Sequence, residues 1–180
     1  MRSVGLAVVF VAIVVPSSAL AVEKEHHIGL TLGPSVLVTA DKTLAGGGPG
    51  LTYSYGVSDA FNLIVEGGSS LLAVGAVDAK TPHSRPRTLS SAAIGAAYVL
   101  DVLRWVPYGG VLMGGYVLGG GTMDKSLVLP GVELALGLDY KFNFAWSAGA
   151  GYRQHLFFTQ MSAYPSYSTF FARVEYAWGR

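Results

Sequence analysis

Cysteine is absent from the 180 residues. That excludes disulfides, thiolate metal sites, cysteine nucleophiles and a lipidated N-terminal cysteine. Charge is also scarce, since Asp, Glu, Lys and Arg make up only 13% of the chain while hydrophobic residues make up 51%. So apolar a composition rules out a disordered chain and sits poorly with a water-soluble enzyme. Long apolar runs are missing as well, because none reaches the roughly 18 residues that a spanning helix needs. What is abundant is glycine, at 24 residues, and tyrosine, at 10, which points to strands and turns.

The opening MRSVGLAVVFVAIVVPSSALAVEKEHH has the parts of a secretory signal. Arg2 is a basic start, Val4 to Val15 an apolar stretch too short to span, and Pro16 a break. Ala19-Leu20-Ala21 then offers small residues where a signal peptidase reads. Residues 1–21 are therefore expected to be removed and residues 22–180 to form a single domain. The remaining 159 residues carry 11 basic and 11 acidic side chains. This balance argues against nucleic-acid binding, which needs a basic excess to displace counterions.

From His27 onward the dominant period is two, which signals strands. Val132, Leu134, Leu136, Leu138, Tyr140 and Phe142 share one face, and Glu133, Ala135, Gly137, Asp139 and Lys141 the other. The final segment sets Phe170, Ala172, Val174, Tyr176 and Trp178 against Thr169, Phe171, Arg173, Glu175 and Ala177. Eight such segments are expected; the fourth and fifth show the weakest alternation because small residues occupy both faces. Four gaps read as long (TADKTLAGGGP, VGAVDAKTPHSRPR, GGGTMDKSLVLP and TQMSAYPS) and alternate with three short ones. That alternation predicts an up-and-down transmembrane β-barrel with turns at one end and loops at the other.

The less apolar face is mostly Gly, Ala, Ser and Thr, which suits the crowded inside of an eight-stranded barrel. It has too little charge to meet water, so the large apolar face is assigned to lipid. Tyr55, Phe61, Tyr98, Tyr108, Tyr140, Phe142, Phe144, Trp146, Tyr176 and Trp178 lie near the short turns and are expected to form an interfacial girdle. Inside, Glu66, Asp101, Glu133, Asp139, Lys141, Arg153, His155, Arg173 and Glu175 mix acids and bases. Arg153 and Arg173 are expected to pair with some of the glutamates and plug the lumen, because an unpaired buried charge is costly.

The stretch YVLDVLRWVPYGG between the fourth and fifth segments and the terminal FFARVEYAW carry a resemblance. The chain resembles the small eight-stranded outer-membrane barrels, the group of the OmpA transmembrane domain, OmpX and OmpW. Here Gly179 and Arg180 follow the last aromatic, Trp178. The resemblance implies a monomer in a Gram-negative outer membrane with periplasmic termini, inserted by the outer-membrane assembly machinery. It also implies contact with outer-membrane lipid and lipopolysaccharide.

The remaining candidates are sparse. Lys80, Arg85 and Arg87 could contact lipopolysaccharide phosphates from the second loop. His155 has no adjacent serine and takes the inward phase, so a lipid A-modifying enzyme is the weaker alternative to a small-solute channel. His26 and His27 alone do not make a metal site and read as a solvated tail. Gly46-Gly47-Gly48 and Gly119-Gly120-Gly121 read as loop formers and not as phosphate cradles. The expectation is a non-enzymatic, cofactor-free barrel with a structural or surface-interaction role.

Overall fold

The computed structural model describes residues 24–75, 85–101 and 104–179. The expected signal segment, residues 1–21, lies outside the described residues. The chain forms eight strands: β1 (His26–Val38), β2 (Thr43–Gly56), β3 (Phe61–Leu72), β4 (Thr88–Val99), β5 (Trp105–Gly119), β6 (Leu127–Lys141), β7 (Trp146–Phe157) and β8 (Ser166–Trp178). Each pairs antiparallel with the next, and β8 pairs with β1 to close the barrel. Closure leaves no sheet edge, so the strand backbone bonds within the barrel, as a span through lipid requires.

Three connections lie at the end where β1 begins and β8 finishes, residues 57–60, 100–104 and 142–145. We term this the turn end. The turn between β6 and β7 is held by Asn143, whose Oδ1 accepts hydrogen bonds from the backbone N–H of Ala145 (2.8 Å) and Trp146 (2.9 Å). At the opposite, loop end the connections are residues 39–42, 73–87, 120–126 and 158–165. The first is short, contrary to the expectation of a long loop through Pro49. Thr39 donates from Oγ1 to the Lys42 carbonyl at 2.7 Å and accepts from its N–H at 3.1 Å, closing a tight hairpin. Gly46, Gly47 and Gly48 consequently belong to β2 and not to a loop. Gly120 and Gly121 do form a loop, with φ of 66° and 64° that a side chain would disfavour.

Alternation governs burial throughout. In β6, Leu134, Leu136 and Leu138 are exposed while Glu133, Ala135 and Asp139 are buried between them. In β8, Phe170, Ala172 and Val174 face out and Phe171 and Arg173 face in. Among the described residues, no Asp, Glu, Lys or Arg occupies the outward phase of any strand. Such an exterior suits hydrocarbon, where a charged side chain is costly.

Tyr55, Phe61, Tyr98, Tyr140, Phe142, Phe144, Trp146, Tyr176 and Trp178 collect at the turn end. Phe61 meets Tyr98 edge-on at 5.3 Å, Trp146 lies 5.0 Å from Tyr176, and Tyr176 stacks with Trp178 at 6.0 Å. Tyr108 corrects the expected girdle, because it points into the lumen. In β5 the phase is set by Val106 and Leu112, both buried, so Tyr108 faces inward with them. Trp105 takes the outer position instead and packs on Tyr140 at 4.9 Å. His26 and His27 correct the expected tail, since both lie in β1. His26 stacks on Trp178 at 5.5 Å and its Nδ1 lies 2.7 Å from Tyr53 Oη, while His27 is buried in the lumen.

All three tryptophans, Trp105, Trp146 and Trp178, thus stand on the outer surface at one end. In vesicles of brominated lipids, their fluorescence should be quenched most by bromines near the headgroups and least by bromines at the bilayer centre.

Candidate functional site

The lumen is filled in layers. Nearest the turn end, Lys141 on β6 pairs with Asp101 in the β4–β5 connection. Above it, Arg173 on β8 pairs with Asp139 on β6 and lies 3.6 Å from Glu175. Glu175 Oε1 also lies 3.0 Å from His27 Nδ1, and Glu25 Oε2 lies 3.6 Å from His27 Nε2. Asp139 reaches Arg173 across β7, and Gly149 provides the space. A Cβ there would stand 2.1 Å from Asp139 Oδ1.

Two aromatic rings form the next layer. Tyr108 lies across Gly137 on β6, where a Cβ would come within 2.2 Å of its hydroxyl. Phe171 lies across Gly151 on β7, where a Cβ would come within 2.5 Å of Cζ. Each ring carries a guanidinium: Arg173 sits 4.4 Å from the Tyr108 centroid and Arg153 4.0 Å from that of Phe171. Cation–π contact of this kind favours the charge more when it is withdrawn from water.

The second network centres on Arg153 of β7. Its Nη2 lies 2.9 Å from Glu66 Oε2 on β3, and its Nε lies 3.2 Å from Glu133 Oε1 on β6. Glu133 is fully buried and its other oxygen lies 3.3 Å from His155 Nδ1. The same ring nitrogen lies 3.0 Å from Tyr116 Oη. The expected lumen residues are therefore gathered into three groups: Lys141 with Asp101, Arg173 with Asp139 and Glu175, and Arg153 with Glu66, Glu133 and His155.

Toward the loop end the lumen turns apolar. Leu37, Leu44, Leu72, Leu89, Tyr116, Leu118, Leu129, Phe157, Tyr164 and Tyr167 form one buried cluster. The inward phase of the strands simply changes from Gly, Ser and Glu to Leu at that end, a switch the sequence reading passed over. Tyr164, in the β7–β8 loop, belongs to this cluster, and burial raises its hydroxyl above the ordinary tyrosine range, with Asp41 adding to the rise. Among the described residues, one cavity of about 40 Å³ lies around His27, Tyr108 and Arg173 and another of the same size around Glu66, Arg153 and His155. Each has room for a few waters at most.

Of the basic loop residues, Arg85 is held by Asp41 of the first loop, with Nε and Nη2 at 3.1 and 3.0 Å from Oδ2. Arg87 is exposed. Lys80 lies outside the described residues. His155 is buried among Tyr116, Tyr167 and Glu133 and faces away from lipid.

Closure, strand number and an uncharged exterior decide the architecture. The fold is that of the small eight-stranded outer-membrane barrels. Among solved structures, the N-terminal β-barrel domain of Pseudomonas aeruginosa OprF matches with a TM-score of 0.60 at 13% identity, covering 87% of this chain and 98% of that one. Neisserial surface protein A matches at 0.63 and 16% identity, covering 88% and 99%. Ail, the attachment invasion locus protein of Yersinia pestis, matches at 0.57 and 13%, covering 87% and 99%. No family model and no curated protein matches the sequence. A membrane-spanning barrel favours charge in its lumen, and among the described strand residues of this chain every Asp, Glu, Lys and Arg takes the inward phase.

Removing one member of a buried ion pair strands the other, whereas replacing both by apolar groups is far milder. Arg173→Met should therefore lower unfolding stability in urea by about 3–5 kcal/mol. Adding Asp139→Leu to that variant should restore part of the loss, and Asp139→Leu alone should also destabilise.

Proposed function

We propose that the chain is an outer-membrane protein with a structural or surface-interaction role and a closed lumen. The observation that carries this reading is the apolar cluster at the loop end. Among the described residues, ten buried side chains, mostly leucine and aromatic rings, stand between the ion-pair layers and the loop end. A conduit needs polar groups or water along its whole length, and an apolar constriction resists wetting. The networks of Arg153 and Arg173 support the same reading from below, since each arginine is already paired with two carboxylates, at least one of them on another strand.

With the lumen closed, exchange with the surroundings falls to the loops. In this reading the termini are periplasmic, residues 1–21 are removed on export, and the loops face outward toward lipopolysaccharide. Exposed Arg87, together with Lys80 in the same loop by sequence, offers cations to phosphate groups. Ail has been solved with the heparin analogue sucrose octasulfate, so a barrel of this fold can carry a polyanion. An enzymatic role finds no support at His155, which is enclosed by Glu133, Tyr116 and Tyr167 away from any lipid substrate.

Planar-bilayer recording of the refolded chain tests the closed lumen. The expected trace is silent for protein whose folding is verified by its heat-modifiable migration. Discrete openings whose amplitude changes on Arg153→Met would overturn the reading in favour of a channel.

A further inference from the structure

Glu66 on β3 and Glu133 on β6 close on the same guanidinium. Arg153 Nη2 lies 2.9 Å from Glu66 Oε2, and its Nε lies 3.2 Å from Glu133 Oε1. One positive charge thus serves two carboxyl groups. Both are withdrawn from water, the side chain of Glu66 being 10% exposed and that of Glu133 fully buried. The other arginine of the lumen, Arg173, is taken by Asp139 and Glu175 in the layer nearer the turn end. With both carboxyls ionised, the Arg153 layer carries a net negative charge beside a cavity of about 40 Å³, which holds a few waters at most. An uncompensated buried charge is costly, and two carboxyl groups sharing one site retain a proton for that reason.

Hydrogen bonding makes the same demand. The Glu66 and Glu133 carboxyl groups are within hydrogen-bonding reach of each other. Two carboxylates have no donor to place between them, whereas a carboxylic acid and a carboxylate do. Glu133 lacks such a donor, because among the described residues no N–H or O–H is aligned on either of its oxygens. A buried acceptor left in that state destabilises the fold.

The other titratable groups of the layer do not supply the missing charge. His155 on β7 holds its Nδ1 3.3 Å from Glu133 Oε2 and 3.0 Å from Tyr116 Oη on β5. Its Nε2 has no partner and the residue is 2% exposed, so an imidazolium there would bury an unbonded N–H. Tyr116 and Tyr167, the latter on β8, carry neutral hydroxyls. From β1, β2 and β4 the layer receives the hydroxyls of Thr31, Thr52 and Ser91.

We propose that Glu66 and Glu133 bind one proton between them at neutral pH, a proton-binding site built into the lumen. Glu66 carries the proton and donates it to Glu133, while Arg153 lies against both. The layer is then neutral. As pH rises the proton is lost, and a single guanidinium is left facing two carboxylates in the enclosed space. Stability that depends on a retained proton is present on the acid side and lost on the alkaline side.

The chain has five glutamates, Glu23, Glu25, Glu66, Glu133 and Glu175, so isotope labelling of their side-chain carboxyl carbons gives a readable NMR spectrum. For the folded barrel in micelles at about pH 7, where an ordinary glutamate is ionised, one carboxyl signal is expected at the protonated position. It should vanish in Glu66→Gln, whose amide N–H replaces the proton as donor to Glu133. All carboxyls ionised in the unsubstituted protein would overturn the proposal, as would a protonated signal that Glu66→Gln leaves in place. Unfolding rates in urea between about pH 6 and about pH 9 give the second arm. Over that range unfolding of the unsubstituted barrel should accelerate at least about fivefold more than that of Glu66→Gln. The same pH dependence in both proteins would also overturn it.

Discussion

Everything inside this barrel follows from the scarcity of room. Eight strands close on a space just wide enough for side chains, so a charge that enters it cannot bring its hydration shell along. Arginine is the severe case, because it stays protonated and has five donors to satisfy. Arg153 draws Glu66 and Glu133 from two other strands, and Arg173 draws Asp139 from β6 and Glu175 from its own strand. These bridges span the barrel instead of running along it. They join β7 to β3 and β6, and β8 to β6, tying together strands that the backbone ladder does not always connect.

The glycines are the other half of this arrangement. Gly137, Gly149 and Gly151 face inward on β6 and β7, and the volume their side chains would fill is occupied by Tyr108, Asp139 and Phe171. Small residues on one wall therefore make space for large ones reaching from another. The result is two aromatic rings between two guanidinium groups, with an apolar cap above them at the loop end. Outside, alternation gives the described strand residues an outward face without charged side chains.

Much of this was legible in the order of residues. Alternation in β6, β7 and β8 is strong enough to assign Glu133, Asp139, Arg153, His155, Arg173 and Glu175 to the inside. Which partner each takes was not legible, because pairing between β6 and β8 depends on the register of β7 between them. Tyr108 was misplaced for a different reason. Gly109, Gly110, Gly114 and Gly115 dilute the alternation of β5, so its phase is hard to read around Tyr108. His26 and His27 sit at a strand start, where no preceding period exists to set their phase. Gly46 to Gly48 imitate a loop by composition, yet their strand is held by close backbone approach: a Cβ at Gly48 would meet the Ser69 carbonyl at 1.9 Å. The apolar cap was overlooked because inward residues were expected to be small along the whole barrel. In fact the inward residues turn to Leu, Phe and Tyr toward the loop end.

A packed lumen requires both arginines to be enclosed. Proton exchange at their side-chain Nε–H, followed by NMR in micelles, reports this directly. Enclosed and paired guanidinium groups predict exchange at Arg153 and Arg173 at least a hundredfold slower than at exposed Arg87 in the same sample. Exchange at all three sites at the rate of free arginine would contradict a packed lumen and show that water reaches both networks.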